Sequence, residues 1–354
     1  MAATPYRPRG VFGRKRTIMH ANNINPHRSW LTGLAHPRHS AVCWVALAVA
    51  VLALLSSCGR PTPKGQQPRR VNAVCTIGMI SDIVSRVGGD RVSATGIMGE
   101  GVDPHLYKAS PGDVRLLTDA DIIFYNGLNL EGKMGDVLVK MARERPVVAV
   151  TEKIDESRLR SPPEFAGHHD PHVWFDVEMW SLAVERICDA LIELDPAGKD
   201  TYTRNTADYL EELLALNEEV ARDIATIPRD KRILVTAHDA FGYFGRAYDI
   251  EVRAIQGIST ESEASLKDIN DLVDLLVERK VAAVFIESSV PRKAIDALLE
   301  GCQSRGHTVK VGGQLFSDAM GAAGTPEGTY IGMVRHNVRT IVAALTGQVP
   351  AEGS

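Results

Sequence analysis

Between residues 71 and 346, short apolar runs alternate with longer segments whose apolar residues recur at helical spacing. This alternation restricts the fold more than any other feature of the sequence, because repeated strand–helix units build parallel sheets that are covered by helices. We therefore predict an α/β protein with two groups of strands. The predicted strands are 71–77, 92–97, 122–125 and 147–150 in the first group, and 233–236, 251–254, 282–286 and 308–311 in the second. The predicted helices include 80–87, 111–118, 266–279, 292–305 and 330–346.

The segment between the two groups, residues 197–227, contains neither glycine nor proline after Gly198. Its apolar residues, among them Leu213, Val220 and Ile224, recur at helical spacing. A single helix of about 30 residues would be roughly 45 Å long and would join two lobes rigidly. Two helices broken near Asn217 are the alternative. The predicted fold is thus two lobes of parallel-sheet α/β sandwich joined by one long rigid helix, with boundaries at 71–196, 197–227 and 228–346.

The first 57 residues differ from the rest of the chain. They contain seven Lys and Arg residues and no Asp or Glu, and they include a continuous apolar run at residues 41–55. A basic flank followed by an apolar run of about 15 residues is typical of a secretory signal peptide, whereas a membrane span needs ~20 apolar residues. We predict that residues 1–57 are a signal peptide and that the mature protein is extracytoplasmic.

The sequence LSSCG at residues 55–59 resembles a bacterial lipobox, in which the cysteine, here Cys58, is lipidated and becomes the mature N-terminus. A stable lipid anchor needs more than one acyl chain, as lipoproteins have. The alternative is a plain signal anchor with an incidental cysteine. Residues 60–70 are proline-rich and basic, so residues 58–70 are predicted to be a lipidated cysteine with a tether. Residues 347–354 are a predicted tail.

Charge and cysteine content narrow the range of functions. Without residues 1–57 the chain has 33 basic and 44 acidic residues, a net charge of about −11, which disfavours nucleic acid as a partner and suits a cation. The remaining cysteines, Cys75, Cys188 and Cys302, are far apart and include no CxxC pair. This spacing excludes a thiolate zinc cluster and a dense disulfide framework, and it leaves open whether two of them form one disulfide.

Seven histidines lie outside the signal peptide, and three of them, each one or two positions from a carboxylate, are the candidate ligands. Neutral imidazole is a good ligand for transition metals, and its second nitrogen usually needs an acceptor that fixes the ring. Two of the three belong to the same tripeptide, Asp-Pro-His, and this repetition in two loops favours metal binding over a purely structural role. The three pairs are Asp103 with His105, Asp170 with His172, and Asp239 with His238. The other histidines, interpreted as exposed or structural, are His168, His169, His307 and His336.

Strand ends supply further candidate ligands. The carboxyl ends of strands are where α/β sheets collect their ligands. His238 follows the predicted strand 233–236, and Glu287 follows the predicted strand 282–286. Asp318 comes shortly after Gly312-Gly313-Gln314-Leu315-Phe316. Each carboxylate alone is also compatible with a helix cap or a surface charge.

Several longer motifs occur in order between about residue 71 and residue 345. They include ADIIFYNGLNLE at 120–131, DPHVWF at 170–175, LVTAHDAFGYFGRAY at 234–248, ISTESEA at 258–264 and LFSDAMGAAGTPEGTYIGMVRHN at 315–337. In these motifs the chain resembles the zinc- and manganese-binding solute-binding proteins of ABC importers, the cluster A-I or TroA-like family. The resemblance implies two α/β lobes joined by one long helix, a metal ion in the cleft between them, and delivery of that ion to a permease with its ATPase subunit.

The resemblance also implies a ligand set. The family's ligands match His105 and His172 in the first lobe and His238 and Asp318 in the second. The expected supporting carboxylates are Asp103, Asp170, Asp239 and Glu287. Some members, typically manganese-selective ones, have Glu where this chain has His238. Many zinc-selective members have a long His- and Asp-rich loop before the second ligand, and here only residues 167–169 remain of it. The two departures point to different metals, so Zn²⁺, Mn²⁺ and also Fe²⁺ stay open as cargo.

Two other functions are compatible with part of the pattern. Three imidazoles and a carboxylate also suit a catalytic zinc site, so a metal-dependent hydrolase is one alternative. The sequence lacks an HExxH motif, however, and the candidate ligands are spread over both lobes. A binder of an organic solute is the other alternative, although aromatic residues for its pocket are sparse. We predict a monomeric carrier, not an enzyme, that is lipid-anchored outside the cytoplasm.

Overall fold

The structure, a computed structural model, describes residues 69–165 and 167–347. The predicted signal peptide, Cys58, nearly all of the tether and the C-terminal tail lie outside these residues. Eight strands and nine α-helices lie within the described ranges. None of these helices is long and apolar enough to cross a membrane.

The N-terminal lobe contains a sheet of four parallel strands. The strands are β1 Val71–Cys75, β2 Val92–Gly96, β3 Ile122–Tyr125 and β4 Val147–Ala149, and their order in the sheet is β2-β1-β3-β4. Four of the five residues of β1 are buried, as expected for an inner parallel strand that is covered on both faces. Its first three helices are α1 Gly78–Gly88, α2 Pro111–Asp119 and α3 Gly135–Met141. A capping box of Ser110 and Asp113 begins α2.

Two long helices lead out of this lobe, α4 Val177–Leu194 and α5 Lys199–Ala225. The side chain of Asp176 caps α4 by accepting a hydrogen bond from the backbone of Met179. At 27 residues, α5 is one continuous helix, about 40 Å long. The alternative of a break near Asn217 is therefore wrong. The buried residues of α5 form one stripe at three- and four-residue spacing: Tyr202, Thr206, Tyr209, Leu213, Leu216, Val220 and Ile224.

The C-terminal lobe contains two pairs of parallel strands, β5 Ile233–His238 with β6 Glu251–Gln256, and β7 Ala283–Glu287 with β8 Lys310–Leu315. Its helices are α6 Gly242–Tyr248, α7 Leu266–Arg279, α8 Lys293–Ser304 and α9 Tyr330–Thr346. An apolar core that includes Val235, Leu276 and Val284 holds these elements together. The joining helix α5 packs against α1 and α4 of the N-terminal lobe and against α6 and α9 of the C-terminal lobe.

The predicted α/β fold, with parallel sheets in two lobes and a long joining helix, is confirmed. All eight predicted strands are present, with ends shifted by a few residues. Helices α3, α4 and α6 are not among the helices named from the sequence. The residue boundaries of the lobes stay a prediction. The three cysteines within the described ranges, Cys75, Cys188 and Cys302, are buried, and no disulfide joins any two of them.

Candidate metal centre

Four side chains from four different segments meet between the lobes. His105 lies in the loop after β2, His172 directly before the short 3-10 helix Val173–Phe175, His238 at the last position of β5, and Asp318 in the loop after β8. One nitrogen or oxygen of each lies within 4.8 Å of the corresponding atom of the other three. All four residues are buried, with at most 3% of their surface exposed. Two of them come from each lobe.

The distances place Asp318 at the centre of the group. Its Oδ2 lies 3.2 Å from His238 Nε2 and 3.9 Å from His105 Nε2, and its Oδ1 lies 3.3 Å from His172 Nε2. The Nε2 atoms of His105 and His172 are 3.3 Å apart. Three imidazole nitrogens thus face one carboxylate, a donor set that suits Zn²⁺ and other first-row transition metals.

Several polar atoms of this group have no hydrogen-bond partner among the described residues. They include both carboxylate oxygens of Asp318 and Nε2 of His238. Nε2 of His238 lies 3.2 Å from Oδ2 of Asp318, but the arrangement of these two atoms does not satisfy the geometry of a hydrogen bond. A buried polar atom without a partner costs free energy, and a carboxylate costs more than a neutral group. A cation bound by these atoms would remove this cost.

Asp170 orients His172. Its Oδ1 accepts hydrogen bonds from Nδ1 of His172 at 2.8 Å and from the His172 backbone N–H at 3.0 Å. Because Nδ1 carries the proton in this arrangement, the lone pair of Nε2 faces the other candidate ligands. The other oxygen of Asp170 pairs with Nη1 of Arg160. Asp170 is thus held between a candidate ligand and a cation.

Glu287 has the same relationship to His238. It lies at the end of β7 and accepts from Nδ1 of His238 at 2.5 Å and from the His238 backbone N–H at 2.8 Å. Both the ring orientation and the backbone position of His238 are fixed by this one carboxylate, which directs Nε2 towards Asp318.

Asp103 acts on the backbone of its loop and not on an imidazole ring. Its Oδ1 accepts from the His105 backbone N–H at 2.8 Å, and its Oδ2 accepts from Oγ1 of Thr260 at 2.6 Å. Thr260 belongs to the C-terminal lobe, so Asp103 links loops of the two lobes beside His105. The fourth expected carboxylate, Asp239, lies 3.8 Å from Nη2 of Arg160.

Burial and neighbouring charges shift the pKa values of the candidate ligands. Burial lowers the pKa of His105 to about 3, so its ring is neutral. Burial also acts to lower the pKa of His172, but the hydrogen bond to Asp170 and the nearby negative charge of Asp318 outweigh it and raise this pKa to about 9. The pKa of Asp318 lies well below its ordinary value because the nearby His238 and His172 outweigh its burial. Asp318 is therefore a negatively charged candidate ligand.

The other four histidines of the described residues lie elsewhere. His169 contacts Ser161 and Glu156 near the surface, and His168 is exposed. Nε2 of His307 pairs with the carbonyl of Val281, and Nε2 of His336 with that of Gln314. The structure therefore places these four outside the group of candidate ligands.

The sequence reasoning missed Arg160 and Thr260, each of which contacts a supporting carboxylate. Arg160 stands in none of the quoted motifs, and Thr260 lies in the motif ISTESEA at 258–264, where nothing marks it as a partner of Asp103. Arg160 lies in an irregular segment ten positions before Asp170, and Thr260 lies in the other lobe from Asp103. Only the folded chain brings these partners together.

Two α/β lobes joined by a long helix, with a buried imidazole–carboxylate group between them, define a class of two-lobed metal-binding proteins. The chain belongs to the family described as zinc-uptake complex component A, periplasmic, whose family model matches residues 73–344.

Individual members of known name are also similar to this chain in sequence and in structure. The zinc-binding protein TroA of Treponema pallidum is 52% identical over 272 residues, which are 77% of this chain and 88% of the relative. The manganese-binding lipoprotein MntA of Bacillus subtilis is 46% identical over 291 residues, 82% of this chain and 95% of the relative. The solved structure of the periplasmic zinc-binding protein TroA from Treponema pallidum has a TM-score of 0.76 at 51% identity, covering 78% of this chain and 99% of its own.

Proposed function

We propose that this protein is the extracytoplasmic substrate-binding component of a metal ABC importer. It captures a divalent transition-metal ion in the cleft and delivers it to a permease that works with an ATPase subunit. The observation that carries this proposal is that three imidazoles and one carboxylate, two residues from each lobe, meet in a buried group. Several of its polar atoms have no hydrogen-bond partner within residues 69–165 and 167–347. Membership of the zinc-uptake family supports the same function.

His105, His172, His238 and Asp318 are the proposed ligands of the transported ion. Asp170 and Glu287 hold the rings of His172 and His238 so that Nε2 faces the ion. Asp103 positions His105 through its backbone. Asp239, in contrast, acts on Arg160. Because the ion contacts both lobes, its presence favours the closed arrangement over an open one, and a permease that distinguishes the two would receive only loaded protein.

The cargo is proposed to be Zn²⁺ or Mn²⁺. Among the reported relatives, TroA is named for zinc and MntA for manganese. Three nitrogen donors favour zinc, whereas a carboxylate that binds through both oxygens would raise the coordination number and help manganese. Fe²⁺ belongs to the same series and remains a third candidate.

The arrangement of the ligands favours a carrier over a metal-dependent hydrolase. A catalytic zinc site keeps one position open for water or substrate. Here the four ligands are buried and come from both lobes, so opening the site for a substrate would also separate the ligands. The lining of imidazoles and carboxylates likewise suits an ion better than an organic solute, which would need an apolar pocket with polar anchors.

We propose further that Cys58 carries the lipid anchor and that residues 58–70 let the body reach the permease from the membrane surface. The protein would then work as a monomer at the extracytoplasmic face of the membrane, without a nucleic-acid partner. The relative MntA is itself named a lipoprotein. The acidic body also supports a cationic cargo.

Elemental analysis of protein purified without added metal tests the central proposal. We expect close to one zinc or manganese ion per chain, and its loss when His172 is replaced by Ala. Replacing His336 by Ala is the matched control, because that histidine pairs with a backbone carbonyl outside the site. Wild-type protein that takes up no transition metal, even after incubation with excess Zn²⁺ or Mn²⁺, would refute the proposal.

A further inference from the structure

Arg160 lies between two carboxylates, one near each pair of candidate ligands. Its Nη1 pairs with Oδ2 of Asp170, which is completely buried, and its Nη2 lies 3.8 Å from Oδ2 of Asp239. Asp170 orients His172 in the N-terminal lobe, while Asp239 directly follows His238 in the C-terminal lobe. The guanidinium group of Arg160 thus contacts one carboxylate beside His172 and one carboxylate beside His238.

Backbone and aromatic contacts hold Arg160 in this place. The backbone N–H of Arg160 donates to the hydroxyl of Tyr243 at 3.0 Å, and this hydroxyl donates to the carbonyl of Asp170 at 2.9 Å. The carbonyl of Arg160 accepts from the Asp170 backbone N–H at 2.9 Å. The guanidinium lies over the ring of Tyr243, 5.8 Å from its centre. Tyr243 belongs to α6, so these contacts also cross from one lobe to the other.

The C-terminal lobe leaves room for this cation at Gly242, the first residue of α6. A Cβ atom at Gly242 would lie 1.2 Å from Nη1 and 1.9 Å from Cζ of Arg160. No adjustment of a few tenths of an ångström accommodates such an overlap. Any side chain at this position would therefore expel the guanidinium from its place between the two carboxylates.

Burial of the candidate ligands restricts how a bound ion can leave the cleft. The four candidate ligands are buried, so an ion leaves only when the lobes move apart. Separation would break the Arg160–Asp239 contact and the hydrogen bonds of Tyr243. At the same time, Arg160 holds Asp170 so that its other oxygen stays on His172; without this cation, only the two hydrogen bonds from His172 would hold the Asp170 carboxylate.

We propose that Arg160 is a positioning residue for metal binding, which orients His172 through Asp170 and slows metal release by joining the two lobes through Asp239. This inference rests on the proposed function, because it concerns the same cleft. A guanidinium suits this role because the two nitrogens of its planar fork reach two different carboxylates, whereas the ammonium of lysine is a single point charge.

Four variants of the full chain test the proposal with Zn²⁺ as the probe: R160Q, G242A, the double variant R160Q/G242A, and D239N. Zinc release into excess chelator is followed by stopped flow, and affinity is measured by competition with a chromophoric chelator. We expect R160Q and G242A each to raise the release rate by about tenfold or more and to weaken affinity within the 10–100-fold range typical of residues that support metal ligands. The double variant should release zinc no faster and bind it no more weakly than R160Q alone, because both changes remove the same contact.

D239N removes only the contact to the C-terminal lobe, so it should accelerate release while weakening affinity less than R160Q does. The matched control is R91Q. Arg91 forms a similar half-buried pair, with Nη2 2.7 Å from Asp195, and its loss should lower the melting temperature without changing zinc release.

Wild-type release rates and affinity in a folded R160Q protein, or additive effects in the double variant, would overturn the proposal. A lower melting temperature of R160Q without any change in zinc release would overturn it as well, since that result describes a purely structural residue. Failure of the wild-type protein to bind zinc or manganese would instead contradict the proposed function itself. The two failures are therefore distinguishable.

Discussion

Glu287 accepts two hydrogen bonds from His238, one from Nδ1 at 2.5 Å and one from the backbone N–H at 2.8 Å. The two residues are the last of β7 and β5, so the contact joins two strand ends of the C-terminal lobe. Because Nδ1 donates to Glu287, Nε2 of His238 is the nitrogen that remains for an ion. The same geometry recurs at Asp170 and His172 in the N-terminal lobe.

This relationship predicts the effect of Glu287→Gln. The amide keeps the size of the side chain but lacks the negative charge, and its NH₂ group faces one of the two donors of His238. We expect zinc affinity to fall about 10–100-fold, as is typical when a group that supports a metal ligand is lost. Competition titration measures the change. Asp113→Asn in the capping box of α2 is the control, which should lower the melting temperature and leave affinity unchanged. An unaltered affinity in Glu287→Gln would show that the imidazole orients itself without this carboxylate.

Replacing the proposed ligands should cost more than replacing their supports. We expect Ala at His105, His172, His238 or Asp318 to weaken zinc binding by more than about 100-fold, above the range for supporting residues. Calorimetry of each variant, with His307→Ala as the control, measures this loss. His307 pairs with the carbonyl of Val281, so its loss removes no proposed ligand. The ligand assignment would fail for any residue whose Ala variant binds zinc as tightly as the wild type.

The candidate site shows which parts of a sequence reveal function. The repeated Asp-Pro-His tripeptide and the position of His238 after an apolar strand are local patterns, and the structure brings His105, His172 and His238 together with Asp318. Their role as ligands stays a prediction. The parallel sheets were predictable for the same reason, since each strand is a short apolar run between helical segments.

Contacts that depend on tertiary structure were not predictable. Asp239 is adjacent to His238 in sequence and was therefore expected to support it, yet it pairs with Arg160, 79 positions earlier. Thr260 reaches Asp103 across 157 positions. Helix α6 has only seven residues, too few for a clear periodic pattern, and its first glycine is explained only by the guanidinium that lies against it.

The pH dependence of binding follows from the raised pKa of His172. Burial opposes the charge on this ring, but Asp170 and Asp318 raise its pKa to about 9, so a metal ion must displace a proton below that pH. Zinc affinity should therefore increase as the pH rises from about 6.5, the ordinary histidine pKa, to about 9.

The pH dependence of stability differs between the metal-free and the zinc-bound protein. A pKa that is higher in the folded chain than in the unfolded chain stabilises the metal-free protein fully below about pH 6.5, and this contribution is lost as the pH rises through about 9. The melting temperature gained on adding zinc should therefore grow between these pH values; at ~1,000 times the dissociation constant, binding contributes about 4 kcal/mol. Calorimetric melting with zinc or with EDTA measures it. A gain that is the same at both ends of the range would contradict proton displacement from the imidazoles.

The proposed anchor predicts the behaviour of Cys58→Ala. Without the thiol, no lipid can be attached at this position, so the protein should accumulate as an unprocessed precursor or be released from membranes. Fractionation of cells followed by mass measurement of the N-terminal fragment distinguishes these forms. Cys302→Ala is the control, because that cysteine is buried in the C-terminal lobe. Normally processed, membrane-bound Cys58→Ala protein would rule out lipidation at this cysteine.

The donor set predicts the order of metal affinities. Three imidazole nitrogens and one carboxylate suit four-coordinate Zn²⁺, and for such sites the Irving–Williams series places Zn²⁺ well above Mn²⁺. We expect zinc to bind at least about tenfold more tightly than manganese, a difference of ~1.4 kcal/mol. Which ion is transported in the cell depends in addition on the supply of each metal, so the prediction concerns equilibrium binding alone. Competition titration of both ions against one chromophoric chelator measures the ratio.

A matched variant shows whether the nitrogen donors produce this order. His238→Glu exchanges one imidazole for a carboxylate, and oxygen donors suit Mn²⁺ better than nitrogen donors do. The ratio of zinc to manganese affinity should therefore fall in this variant, even though the new carboxylate lies beside Glu287 and weakens binding of both ions by disturbing the strand ends. Measuring the ratio, and not either affinity alone, separates the two effects. Manganese binding as tight as zinc binding in the wild-type protein would mean that the cleft enforces a higher coordination number, with both oxygens of Asp318 on the ion.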